Sequence, residues 1–210
     1  MARPKAFDSD AALLRAMDLF WRQGFNATSL TQLVAAMGIS RQSLYDTYGD
    51  KNRLFLTALD RYCGILAEQL FGPLLVPGAG LAELHAAAEG LIDFLLNYPE
   101  RRACLMVNSA MEMGPHDAAV AARAQAHWGA MEAAFRAALE TAKARGDIRS
   151  PEPTDKLARY MVALANGLIV AAKSGANRAA LNDMARLGTA VLQPIALTPL
   201  MPRQPERQMP

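Results

Sequence analysis

Residues 28–51 read TSLTQLVAAMGISRQSLYDTYGDK, and this stretch decides the fold. Ser29 and Gln32 stand at capping-box spacing, which predicts a short helix over Leu30–Met37 with Leu33, Val34 and Met37 on its inner face. Gly38 permits a sharp turn, and Ser40 can cap a third helix over Arg41–Tyr48. Gly49 ends that helix, and Asp50 can cap the next. Two short helices joined by a glycine turn, the second one polar, make a helix-turn-helix. In such a unit the first helix braces on the sugar-phosphate backbone and the second lies in the major groove, where each base pair shows a distinct donor and acceptor pattern. A reading helix needs short or forked polar side chains near its N-terminus. Arg41, Gln42 and Ser43 are placed there, while Leu44 points inward. Arginine suits guanine O6 and N7, and glutamine suits adenine N6 and N7.

Working outward, Asp8 can cap a first helix over Ser9–Gln23, with Leu13, Leu14, Met17, Phe20 and Trp21 on one apolar face and Gly24 as its stop. A long fourth helix is expected over residues 51–71, broken by Gly72-Pro73. Further helices are expected over Leu81–Asn97, over 101–113, from beyond Gly114-Pro115 to Arg145, over 154–174 with Thr154 as cap, and over 177–192. That makes about nine helices. The 41 Ala and 28 Leu, against 7 Val and 6 Ile in 210 residues, favour helices over strands. The reading is an all-α chain with a three-helix DNA-binding domain over 1–50, a helical effector-binding and dimerisation domain over 51–193, and a flexible tail over 194–210. Residues 1–7 lack the apolar stretch of a signal peptide, and the longest apolar run is too short for a membrane span, so a soluble cytoplasmic protein is expected. The formal charge of +2 lies wholly within residues 1–53, the remainder being balanced. That excess is small, and a dimer would double the number of phosphate contacts.

The chain resembles the TetR family of bacterial transcription regulators. The resemblance rests on the helix before Gly24-Phe25, on Ala27-Thr28-Ser29-Leu30, on Ala35-Ala36-Met37-Gly38-Ile39-Ser40, on Ser43-Leu44-Tyr45, and on Tyr48 with Lys51. It implies that Thr28 and Ser29 hold a DNA phosphate, as the free amides of a helix start would also favour. It further implies that Tyr45 and Lys51 contact the backbone, that Arg41, Gln42 and Ser43 read bases, and that Thr47 touches DNA. Asp46 is less expected, because a carboxylate repels phosphates unless it accepts from cytosine N4.

By the same resemblance the last two helices form a homodimer bundle, for which Leu157, Met161, Leu164, Leu168, Leu187 and Val191 are apolar and Ala165, Gly167, Ala171 and Gly188 permit close approach. The segment Ala103-Cys104-Leu105-Met106-Val107 is similar to a Cys-Leu-x-Val motif at the start of helix six in one subgroup, some of whose members sense electrophiles or oxidants through the cysteine. That subgroup has glycine where this chain has Ala103. Arg101 and Arg102 before it, and a place in the first turn of a helix, favour the thiolate of Cys104, but a free cysteine is more often a small buried hydrophobe, so inert packing is the expected role and a reactive sensor the alternative. An effector pocket for a small apolar or electrophilic molecule is expected among Tyr62, Phe94, Met106, Met111, Trp128 and Met161. No cofactor and no metal is expected: His116 and His127, eleven residues apart on one helix, lie about 16 Å from each other at 1.5 Å per residue. The whole reads as a homodimeric repressor released from a palindromic operator by an effector or by modification of Cys104. The alternative is an all-α small-molecule-binding protein or enzyme that does not bind DNA.

Overall fold

Ten α-helices and one 3-10 turn make up the described residues, 7–97 and 103–193, of the computed structural model. Helix α1 (Ser9–Gln23) starts where the Asp8 carboxylate accepts from the amides of Asp10 and Ala11. It buries Leu13, Met17, Leu19, Phe20 and Trp21, whereas Leu14, expected on that face, is largely exposed. Helices α2 (Leu30–Met37) and α3 (Arg41–Tyr48) are joined at Gly38, whose φ of +69° favours glycine. The capping box of Ser29 and Gln32 is formed in both directions.

Helix α4 (Lys51–Gln69) runs from the Asp50 cap into the second domain. Helix α4 ends before Gly72-Pro73 as expected, but those residues open a one-turn helix, α5 (Gly72–Leu75), because proline is compatible with a helix's first turn. Then come α6 (Leu81–Asn97), α7 (Leu105–Glu112), α8 (Ala118–Arg145), α9 (Thr154–Lys173), α10 (Arg178–Thr189) and a 3-10 turn over Ala190–Leu192. The helix expected over 101–113 is thus shorter, with Cys104 extended at its N-cap and Ala103 at φ +59°. Thr154 is the first helical residue rather than the cap, and Pro153 precedes it. The expected tail over 194–210 lies outside the described residues, as do Arg101 and Arg102.

One apolar core joins Phe20, Leu33, Leu44 and Phe55 of the first four helices to Ile92, Met106, Val120 and Leu168 of the later ones. A second core lies between α6, α8 and α9, around Leu84, Phe135, Leu139 and Leu157. The first helices therefore share buried side chains with the domain behind them. A displacement in one is felt by the other, because packed interiors transmit strain.

Candidate nucleic-acid interface and effector cavity

Helix α3 buries Leu44 completely and turns Arg41, Gln42, Tyr45 and Asp46 outward, four positions that share one face of a helix. The helix is fixed from behind by Tyr48, whose hydroxyl donates to the Ser9 carbonyl at 2.9 Å, and its start is fixed by Ser40, whose Oγ accepts from the Ser43 amide at 3.0 Å. Ser43 and Thr47 flank the exposed face and are half-buried. Asp46, unexplained by the sequence, accepts from Gln42 Nε2 at 2.7 Å. That leaves Gln42 Oε1 and the second amide hydrogen for a base edge, already oriented.

Of the residues expected to contact the DNA backbone, Thr28 sits differently from expectation. Thr28 is 1% exposed, and its hydroxyl donates to the Gly24 carbonyl at 2.6 Å, so it fastens the turn rather than facing a phosphate. Ser29 and the start of α2 do face solvent. Lys51 Nζ lies 4.2 Å from the centre of the Phe25 ring, a cation–π contact, and the partial burial lowers its pKa.

The sequence reading missed the residues that tie this unit to α7. The Glu112 carboxylate accepts from the amides of Phe25 (3.0 Å) and Asn26 (2.8 Å), 87 and 86 residues away in the chain. The indole of Trp21 donates to the Ala103 carbonyl at 2.8 Å in a buried setting. Both ends of the segment 103–112 are thereby bonded to the helix-turn-helix unit. No local pattern could reveal this, since the acceptors are a lone glutamate and a backbone carbonyl. Gly24 makes room for the first contact: a Cβ there would stand 2.7 Å from Glu112 Oε2.

Behind α7 is an apolar cavity of about 50 Å³, enclosed by α4, α6, α8, α9 and α10. Of the expected pocket residues, Tyr62, Phe94 and Met161 line it, and so does Cys104. Met106 is buried in the neighbouring core, and Trp128 packs between the two cores. Met111 is 80% exposed and lies outside the cavity, because it falls on the outer face of α7. His127, which the sequence reading left without a role here, also lines the cavity, and burial lowers its pKa.

The surroundings of Cys104 do not favour the thiolate that its neighbours in sequence suggest. Burial pushes its pKa up, and this outweighs the Tyr62 hydroxyl and the amides of Val107 and Met106, which pull it down. Its place at a helix start is real but is outweighed by desolvation. Cys63 is pushed up to about 12, chiefly by burial and then by Cys104 and Asp60.

On α9 and α10, Leu157, Met161, Ala165 and Leu168 point into their own protomer's core, and Gly188 lets α10 approach Leu164 of α9. The uncovered positions are others. Ala163, Gly167 and Val170 on α9, and Ala180, Met184 and Leu187 on α10, form two stripes at helical spacing, with Val170 56% and Leu187 64% exposed. Among the described residues no group of three His, Cys, Asp or Glu side chains is placed to hold a metal ion, and no helix is long and apolar enough to cross a membrane.

Residues 12–58 match the family model of bacterial regulatory proteins of the tetR family, and residues 80–187 match that of the tetracycline repressor-like C-terminal domain. The chain is 34% identical over 194 residues to the uncharacterized HTH-type transcriptional regulator YezE of Bacillus subtilis, covering 91% of this chain and 100% of that one. It is 32% identical over 179 residues to the HTH-type transcriptional repressor ComR of Escherichia coli, covering 83% and 84%. Among solved structures, a cysteine mutant of the TetR family regulator CifR, complexed with 26-bp double-strand operator DNA, superposes with a TM-score of 0.75 at 30% identity, covering 90% of this chain and 98% of that one. The alternative of a protein without DNA binding is not favoured by these relatives. With a helix-turn-helix whose outer face is polar and open, a helical domain bonded to it, and matches across both parts, the chain belongs to the TetR family of bacterial transcription regulators.

Proposed function

We propose that the protein is a homodimeric repressor that seats α3 of each protomer in successive major grooves of a palindromic operator and lets go when a small, mostly apolar effector enters the cavity behind α7. The observation that carries the reading is the open face of α3, where Arg41, Gln42, Tyr45 and Asp46 project while Leu44 anchors the helix. Arg41 and Gln42, the latter oriented by Asp46, are the base-reading side chains, assisted by Ser43 and flanked by Thr47. Tyr45, Lys51, Ser29 and the start of α2 meet phosphates. The uncharged stripes on α9 and α10 are the surfaces that pair two protomers, and a two-fold arrangement is what a palindromic site requires.

Release follows from the connections of α7. The cavity is about 50 Å³, a third of the volume that holds a benzene molecule in an engineered apolar cavity, so a ligand of six heavy atoms must push its walls apart. One wall is Cys104, the N-cap of α7, and the other end of α7 holds the Phe25–Asn26 turn through Glu112. Moving α7 moves the reading unit. Half-sites repeat every ~34–36 Å, so a shift of a few ångströms in the spacing of the two α3 helices spoils simultaneous docking. The buried, protonated state of Cys104 favours non-covalent binding over modification as the trigger.

The test is a salt titration of operator binding by Y45F/K51A. The double variant should bind all duplexes more weakly, and the loss of one lysine in each protomer should flatten the slope of log K against log salt by about 2. An unchanged affinity and slope would refute the assignment of the backbone contacts.

A further inference from the structure

The effector cavity contains one polar group that the protein leaves unsatisfied. Tyr62 lies on α4, is buried, and lines the cavity, yet its hydroxyl makes no well-formed hydrogen bond. Its polar neighbours are the Cys104 thiol and the Leu105 amide. Sulfur is a weak acceptor and an amide N–H is a donor, so neither offers the O–H a strong acceptor. A buried donor without a partner is costly, and native interiors rarely tolerate one without a reason. Apart from Cys104, His127, Asn166 and Thr189, whose hydroxyl donates to the Ala185 and Arg186 carbonyls, the rest of the lining is apolar, including Leu66, Phe94, Met161 and Leu168. The ring itself is held in place: Trp21 meets it edge-on with centroids 5.1 Å apart, so the hydroxyl cannot swing away to solvent.

We propose that Tyr62 is the ligand's single polar anchor, and that the cavity selects small apolar molecules carrying one hydrogen-bond acceptor, such as a ketone, ester or ether oxygen, and no charge. This deepens, and rests on, the reading of the cavity as the effector site. A charged ligand is excluded because nothing in the lining balances a charge, and His127, the basic group that faces the cavity, is held towards its neutral form by burial. A ligand made only of hydrocarbon leaves the Tyr62 donor unsatisfied. A ligand with an acceptor at one end of an apolar body completes it. Because Trp21 also donates to Ala103, the same ring pair lies next to the bonded segment that leads to the DNA-binding unit.

The experiment uses the full chain and two probes of the same shape, cyclopentanone and methylenecyclopentane, which differ only in an oxygen replaced by CH₂. Binding is followed by NMR shifts of the methionine methyl groups, with Met131 and Met161 on the cavity wall as reporters. The ketone is inherently better hydrated, so the informative quantity is the ratio of the two affinities in wild type divided by that ratio in Y62F. The expected value is about tenfold in favour of the ketone in wild type, equivalent to about 1.4 kcal/mol. The carbonyl stretch of the bound ketone should also shift to lower frequency in wild type relative to its position in hydrocarbon solvent, and not in Y62F. That spectrum needs no variant to be read, and unliganded operator binding by Y62F reports whether the variant is folded. An unchanged affinity ratio with an unshifted carbonyl overturns the proposal, as does failure of both probes to bind wild type. If the ketone binds with the expected ratio but operator DNA stays bound, the ligand chemistry stands and the effector reading of the cavity falls.

Discussion

Replacing Glu112 with alanine removes the link between α7 and the turn that follows α1. The carboxylate accepts two backbone hydrogen bonds, at 2.8 and 3.0 Å. The Asn26 amide is exposed and water replaces its partner at little cost, whereas the Phe25 amide is partly buried. Hydrogen bonds to charged groups contribute about 1.5–3 kcal/mol, so the loss concentrates on Phe25 and should come to about 2 kcal/mol. Glu112→Gln keeps one acceptor oxygen and should lose about half as much. The assay is amide hydrogen exchange. A weakening of 2 kcal/mol makes local opening around Phe25 roughly thirtyfold more frequent in E112A, with a smaller change in E112Q. Amides in the middle of α8 serve as the internal reference. In parallel, ligand-induced release from operator DNA should weaken in E112A, because α7 moves without pulling the turn. Unchanged exchange at Phe25, or release by ligand as complete as in wild type, would refute the reasoning.

Other expectations follow from particular side chains. Leu187→Glu should convert the dimer to a monomer in sedimentation and lower operator affinity at least a hundredfold, whereas a dimer that persists would place the interface elsewhere; the residue is 64% exposed in the protomer. Burial lowers the pKa of His127 below its ordinary value of 6.5, so the unfolded chain takes up the proton more readily. Stability should therefore be complete above pH 6.5 and decline as the pH falls towards the folded-state pKa, and His127→Phe should remove that part of the acid loss in thermal melts. Both cysteines should react with N-ethylmaleimide slowly in the native protein and quickly in denaturant, as followed by intact mass, since burial keeps them protonated. Ala103 adopts φ +59°, which glycine adopts freely, so Ala103→Gly should raise stability by about 0.5–1 kcal/mol in denaturant unfolding.

What was legible in the sequence was what is local. The caps of α1 to α4, the stop at Gly24 and the turn at Gly38 are encoded within three or four residues of where they act, and the structure places them as read. Leu44 inward with Arg41 and Gln42 outward follows from helical periodicity alone. What escaped depends on distance in the chain. Thr28 looked like a phosphate ligand because its hydroxyl stands beside a helix start, but the Gly24 carbonyl takes that hydroxyl first. Arg101, Arg102 and a helix start argue for a reactive Cys104, yet its pKa follows burial by helices distant in the chain, which local sequence does not show. Glu112 carried no motif at all, and only the fold brings it to the Phe25 amide. Leu157 and Leu168, expected in a dimer bundle, are buried in the protomer's own core, because periodicity cannot tell one burial from another.

The central claim is that the outer face of α3 reads base pairs in two symmetric half-sites, and it is tested most directly by selecting duplexes from a randomised pool with wild type, R41A and Q42A. Wild type should enrich a palindrome with half-sites about one helical turn apart, and each variant should lose selectivity at one symmetric pair of positions while keeping the rest, at about 1–3 kcal/mol for the affected base. Enrichment of a site without two-fold symmetry, or of the same site with the same selectivity by all three proteins, would contradict it.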